Sequence, residues 1–158
     1  MKIKFTKFLN ENIFNGVEVK NIGSKSTNDL REHFIHYGME DDDVDSFCRN
    51  SDKVNIFELK VSRSLNLTLS EIFDHYNFII QSLTNIRQED NFINYNEPVV
   101  FDFYWPNMGN GLTSIIEEGE LHPKYNADIY TIYSGEKKLD KFLDEELELM
   151  ISSKIYNL

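Results

Sequence analysis

The side chains of this chain that could do chemistry gather in acidic groups. Met39–Asp45 reads MEDDDVD and places Glu40, Asp41, Asp42, Asp43 and Asp45 directly after a glycine. Carboxylates that close repel one another unless a metal ion, a cationic partner or bulk water offsets the charge. Glu117, Glu118 and Glu120 form a second group, with His122 just beyond, and Asp140, Asp144, Glu145, Glu146 and Glu148 form a third. Such residues are open to metal ligation, to acid–base catalysis between paired carboxylates, and to recognition of a positively charged macromolecule.

Metal ligation fits the spacing poorly. Asp41, Asp43, Asp45 and Asp52 take positions 1, 3, 5 and 12 of a calcium loop. Position 6, however, is Ser46 where the sharp turn needs glycine, and Asp52 is shorter than the bidentate glutamate such a loop uses. The segment that follows alternates like a strand, where this loop needs a helix. His33 and His36 lie three apart but lack an HExxH context and a third ligand; His33 and His75 read as hydrogen-bonded boundary histidines. No metal site and no cofactor are expected.

Catalytic signatures are missing as well. No GxSxG is present, Gly109–Gly111 is too short to cradle a phosphate, and Cys48 between Phe47 and Arg49 reads as a semi-buried structural thiol. One enzymatic alternative survives, a small hydrolase or transferase using the loop carboxylates with His122. A glutamate among residues 117–120 that ionised well above its usual value near ~4.3 would favour it.

The elements that must hold these residues follow from hydrophobic period. Val17 and Val19 alternate with Glu18 and Lys20 after an Asn15-Gly16 turn, and Ile3 and Phe5 alternate before it, so the opening reads as a hairpin. STNDLREHFIHYG predicts a helix with a Ser26/Asp29 capping box, an apolar stripe of Leu30, His33, Phe34 and Tyr37, and a stop at Gly38. In KVNIFELKVSRS, Phe57, Leu59 and Val61 share one face, the core side, while Glu58, Lys60 and Ser62 take a wet one. TLSEIFDHYNFIIQSLTNIRQ predicts a long helix opened by a Thr68/Glu71 capping box. Strands are predicted in EPVVFDFYWP and DIYTIYS, and a final helix with Leu139, Phe142, Leu143, Leu147, Met150, Ile151 and Ile155 inward. Between the last two strands, residues 106–127 read as a long loop in which Ser114 and Glu117 could cap a short helical turn ending at Gly119.

The expected architecture is α+β: a single domain spanning 1–158 with a mixed or mainly antiparallel sheet and amphipathic helices packed against it. Its order is hairpin, α, β, α, β, β, α, with Val54–Val61, Val99–Trp105 and Ile129–Tyr133 central.

Charge then narrows the partner. Acidic residues number 27 against 16 basic ones, a formal charge of -11. That field opposes nucleic acid and anionic membrane and attracts basic proteins. With one cysteine and no long apolar stretch, a soluble cytoplasmic protein is expected. The first two acidic groups lie outside long regular elements and lack nearby lysines, whereas Lys137, Lys138 and Lys141 offset the third. Beside the aromatics Tyr104 and Trp105, Glu40, Asp41, Asp42, Asp43, Asp45, Glu117, Glu118 and Glu120 are a candidate footprint for a cationic protein.

In size, charge and its acidic runs EDDDVD and EEGE, the chain resembles the small acidic immunity proteins that bacteria make against nuclease toxins, including those of contact-dependent growth inhibition. The resemblance implies a cytoplasmic, non-catalytic protein that binds one cognate basic toxin; oligomeric state and binding residues do not follow from it. A phage or accessory adaptor contacting a different host factor fits the same features.

Overall fold

The computed structural model describes residues 16–36, 38–73, 79–82, 100–104, 113–119 and 121–156. Its elements run β1 (Val17–Ser26), α1 (Thr27–His36), α2 (Asp41–Asn50), β2 (Lys53–Ser62), a 3-10 turn (Arg63–Leu65), α3 (Leu69–Phe73), β3 (Ile79–Ser82), β4 (Val100–Tyr104), β5 (Ser114–Glu118), β6 (Ala127–Ser134), α4 (Lys137–Lys141), a π-helical turn (Phe142–Glu146) and α5 (Leu147–Tyr156). The strands form a six-stranded sheet in the order β1-β2-β6-β5-β4-β3. Every pairing is antiparallel, so the fold is α+β.

Successive residues of a strand point to opposite faces, and here both faces are covered. Phe57, Leu59, Val61, Ile116, Tyr130 and Ile132 pack with Ile72 and Phe73 of α3 and with Leu139, Phe142, Leu143, Leu147 and Ile151 of the C-terminal helical segment. Val54, Ile56, Ile115 and Tyr133 pack instead with Leu30 and Phe34 of α1, Met39, and Val44 and Phe47 of α2. Adjacent residues such as Ile56 and Phe57, or Ile115 and Ile116, are therefore both buried. That corrects the expectation of one wet face on β2: the α1–α2 layer covers the half that carries Val54 and Ile56. Phe34 anchors this layer, meeting the rings of Phe47 and Tyr133 edge-on with centroids 5.8 and 4.9 Å away.

Helix ends follow local chemistry. Asp29 N–H donates to Ser26 Oγ at 3.2 Å at the start of α1. At its end Gly38 takes φ +95°, its N–H donates to the Ile35 carbonyl, and Met39 N–H reaches the Phe34 carbonyl at 3.0 Å. This is a Schellman stop, and Met39 is buried in the same cluster as Phe34.

Three expected elements are corrected. The long helix from Thr68 does not run on to Gln88: α3 is described over Leu69–Phe73, and Ile79–Ser82 is a strand paired with β4. The apolar pair Ile79 and Ile80 fits either period, and the edge of β4 gives this segment backbone partners. The loop over 106–127 contains β5, so Ser114 and Glu117 do not cap a helical turn. The acidic run is not a loop either, because Asp41–Asn50 is α2. The three strands expected to be central, β2, β4 and β6, each have a neighbour on both sides. The first strand of the expected hairpin lies outside the described residues.

Candidate functional site

α2 is a helix because Val44, Phe47 and Cys48 recur at helical spacing toward α1 and the sheet, with Arg49 in the last turn. Its first turn carries Asp41, Asp42 and Asp43, with Glu40 at the N-cap in an extended conformation. Carboxylates at that end meet the positive pole of the helix and its unpaired N–H groups, which lowers their mutual repulsion. Glu40, Asp41 and Asp42 are exposed and Asp43 is half-buried. None of these four enters an ion pair among the described residues. Asp45 differs: it pairs with Arg31 of α1 and raises that guanidinium's pKa, chiefly through their hydrogen bond. About 200° of helical turn separates Asp41 from Asp43, so the spacing of a calcium loop is not reproduced.

The second group is divided by its strand. Glu117 faces α1, where its Oε2 lies 2.5 Å from Nε2 of His33, beside Tyr133. Glu118 faces the opposite layer, paired in register with Tyr130. There burial, and then Asp128, push its carboxyl above the ordinary value, while Arg63 opposes them weakly. Arg63 Nε donates to Asp128 Oδ1 at 3.0 Å. Burial, with Glu118 and Asp128 behind it, raises the Tyr130 phenol too. Glu117 and Glu118 thus cannot divide acid and base roles on one substrate. His122 bridges through its backbone to Ala127, its ring lies 5.0 Å from that of Tyr125, and its Nδ1 is buried without a hydrogen-bond partner among the described residues.

The third group lies on the other helical layer. Asp140 accepts from Asn55 Nδ2 of β2 at 3.0 Å, while Asp144, Glu145 and Glu148 are exposed. Desolvation, then Asp140 and Glu145, raise the Asp144 carboxyl. Of the remaining candidate residues, Tyr104 ends β4 opposite Ile79, and Trp105 and Glu120 lie outside the described residues. The acidic groups therefore do not merge into one patch: α2 carries one on its layer, and the C-terminal helical segment carries another across the sheet.

Sequence reading missed a mixed charged strip on the sheet face beside α1. Lys60, only 9% exposed, places its Nζ 3.4 Å from Glu18 and 4.6 Å from the centroid of the Tyr125 ring. Lys20 holds the same glutamate at 2.9 Å. Burial alone would raise the Glu18 carboxyl, but the two ammonium groups outweigh it and hold it below the usual range. The signal was the charge alternation itself, Glu18 opposite Lys60 and Lys20 opposite Glu58 in the β1–β2 register.

Among the described residues, no three His, Cys, Asp or Glu side chains converge to hold a metal ion. No described helix is long and apolar enough to cross a membrane. What fold and surface define is a class, an α+β protein with a helical layer on each face of an antiparallel sheet and exposed carboxylates on both layers. No family model matches the chain, and neither a curated protein nor a solved structure matches it.

Proposed function

We propose that the chain is a non-catalytic inhibitor of the immunity-protein kind, which binds and neutralises a cognate cationic bacterial toxin, a nuclease being the partner its charge fits. The observation that carries this reading is the first turn of α2. Glu40, Asp41 and Asp42 stand exposed and unpaired among the described residues, on a rigid helix end, in a chain of net charge -11. Fixed carboxylates of that kind occupy the positions phosphates would take in a nuclease groove, and they steer a basic partner in from solution. An interface of ordinary size, about 1,600 Å² in total, would extend well beyond one helical turn. Glu117 and Asp45 are engaged within the fold, so their part is to hold α1 and α2 in place for contact.

A direct test is co-purification with the product of a neighbouring reading frame that encodes a toxin with a basic C-terminal domain. A salt-sensitive complex that abolishes the toxin's nuclease activity is the expected result. A complex whose affinity does not change with salt would remove the electrostatic basis.

One observation favours a second reading, the small hydrolase: the upward shift of Glu118, half-buried beside Tyr130 and Asp128. A carboxyl that keeps its proton nearer to neutral pH can act as a general acid. If so, a Glu118→Gln variant would lose turnover of an ester or phosphoester panel that the wild-type protein hydrolyses. Absence of turnover in both proteins would leave the binding role.

A further inference from the structure

Among the described residues β1 is an edge of the sheet, and an edge strand presents backbone groups on which another strand can pair. Val19 N–H points away from β2 and donates to Glu148 Oε1 at 2.7 Å, a carboxylate reaching over from α5. Further along, Gly23 N–H is taken by Asn21 Oδ1 at 2.9 Å, and the register slips at Asn21/Gly23. Ile22 in that bulge is 54% exposed. Between Val17 and Asn21 the strand is regular, and the Glu148 carboxylate sits over its middle.

We propose that the outer edge of β1 is a strand-addition surface for a second copy of this chain, kept closed by Glu148. The occupant is argued from charge and register. Pairing β1 with its own copy, antiparallel and with Val19 opposite Val19, sets each Glu18 against the partner's Lys20 and brings the outward-facing backbone groups into line. Sliding so that Val17 meets the partner's Val19 sets Glu18 against Glu18. Sliding the other way, Val19 to Asn21, sets Lys20 against Lys20, and further slides run into the bulge. One register is therefore favoured, and the two-fold contact is self-complementary. In that register both Val19 N–H groups are needed between strands, and a carboxylate holding them blocks the pairing. The inference is independent of the toxin-binding proposal.

Light scattering on full-length protein over a concentration series tests it. Wild type and Glu148→Gln, which keeps an acceptor oxygen, are expected at the monomer mass of 18.6 kDa. Glu148→Ala is expected to move toward twice that mass as concentration rises. Adding Lys20→Glu to Glu148→Ala, which places acid against acid, is expected to return the monomer, and a further Glu18→Lys exchange to restore the dimer. A folded Glu148→Ala that stays monomeric overturns the proposal, as does a dimer indifferent to Lys20→Glu. If Glu148→Ala does not fold, hydrogen exchange of the wild-type Val19 amide decides: protection supports the Glu148 contact, and exchange at the rate of a free amide overturns it.

Discussion

Two glutamates on opposite faces of the same sheet respond to pH in opposite directions. Glu18 is held below its ordinary 4.5 by Lys20 and Lys60, against the burial that would raise it. Its contribution to stability is therefore present above 4.5 and is lost as pH falls through the lower folded value. Glu118 is shifted the other way from 4.5, by burial and by Asp128. It favours the folded state while protonated and loses that contribution as pH rises through its folded value. Urea unfolding at a series of pH values checks both. Glu18→Gln is expected to be less stable than wild type at neutral pH, with the gap closing below 4.5. Glu118→Gln is expected to gain on wild type as pH is raised from 4.5 toward neutrality. The His33–Glu117 contact is a third case at this scale. His33→Ala leaves a mostly buried carboxylate without its partner, and a loss of about 1–3 kcal/mol in urea unfolding is expected. The Glu118 and His33–Glu117 environments were not legible in the sequence, because each partner comes from another strand or helix; for Glu18 only Lys20 on the same strand was, Lys60 arriving from β2.

Elements whose boundaries are set by local chemistry were the legible ones. The Thr68/Glu71 box is present, with Glu71 N–H donating to Thr68 Oγ1 at 3.1 Å and Thr68 N–H to Glu71 Oε1 at 3.3 Å. Thr68→Ala is expected to cost about 1 kcal/mol in unfolding experiments. Gly38 does stop α1, and its φ of +95° is one that L side chains adopt with strain. Gly38→Ala is expected to cost about 1–2 kcal/mol, visible as a lower Tm. The C-terminal helical segment lies where its stripe of Leu139, Phe142, Leu143, Leu147 and Ile151 places it. Elements decided by tertiary partners were not legible. Ile79–Ser82 pairs with β4, and Ser114–Glu118 pairs with both β4 and β6, choices that depend on the neighbouring strands and not on each segment's own residues. α2 lay in between: DDDVDSFCRN is poor in strong helix formers, yet acids in its first turn, Val44, Phe47 and Cys48 at helical spacing, and Arg49 in the last turn were all signals of a helix.

For the whole molecule, the two covered faces of the sheet decide what the charge can do. With α1–α2 on one side and the C-terminal helical segment on the other, the exposed carboxylates are carried on rigid layers facing opposite ways, and a single partner meets one of them. α2 is the layer with carboxylates at a helix end and no ion pair among Glu40, Asp41, Asp42 and Asp43 within the described residues, which is why the proposed contact is centred there. The most direct measurement is the affinity of the purified protein for the toxin domain encoded beside it, taken as a function of salt with wild-type protein and with a variant carrying Glu40→Gln, Asp41→Asn, Asp42→Asn and Asp43→Asn, its fold checked by circular dichroism. The proposal predicts a weakening of about 10-fold or more, about 1.4 kcal/mol, together with a shallower salt dependence. Equal affinity and an equal salt slope for the two proteins would contradict it.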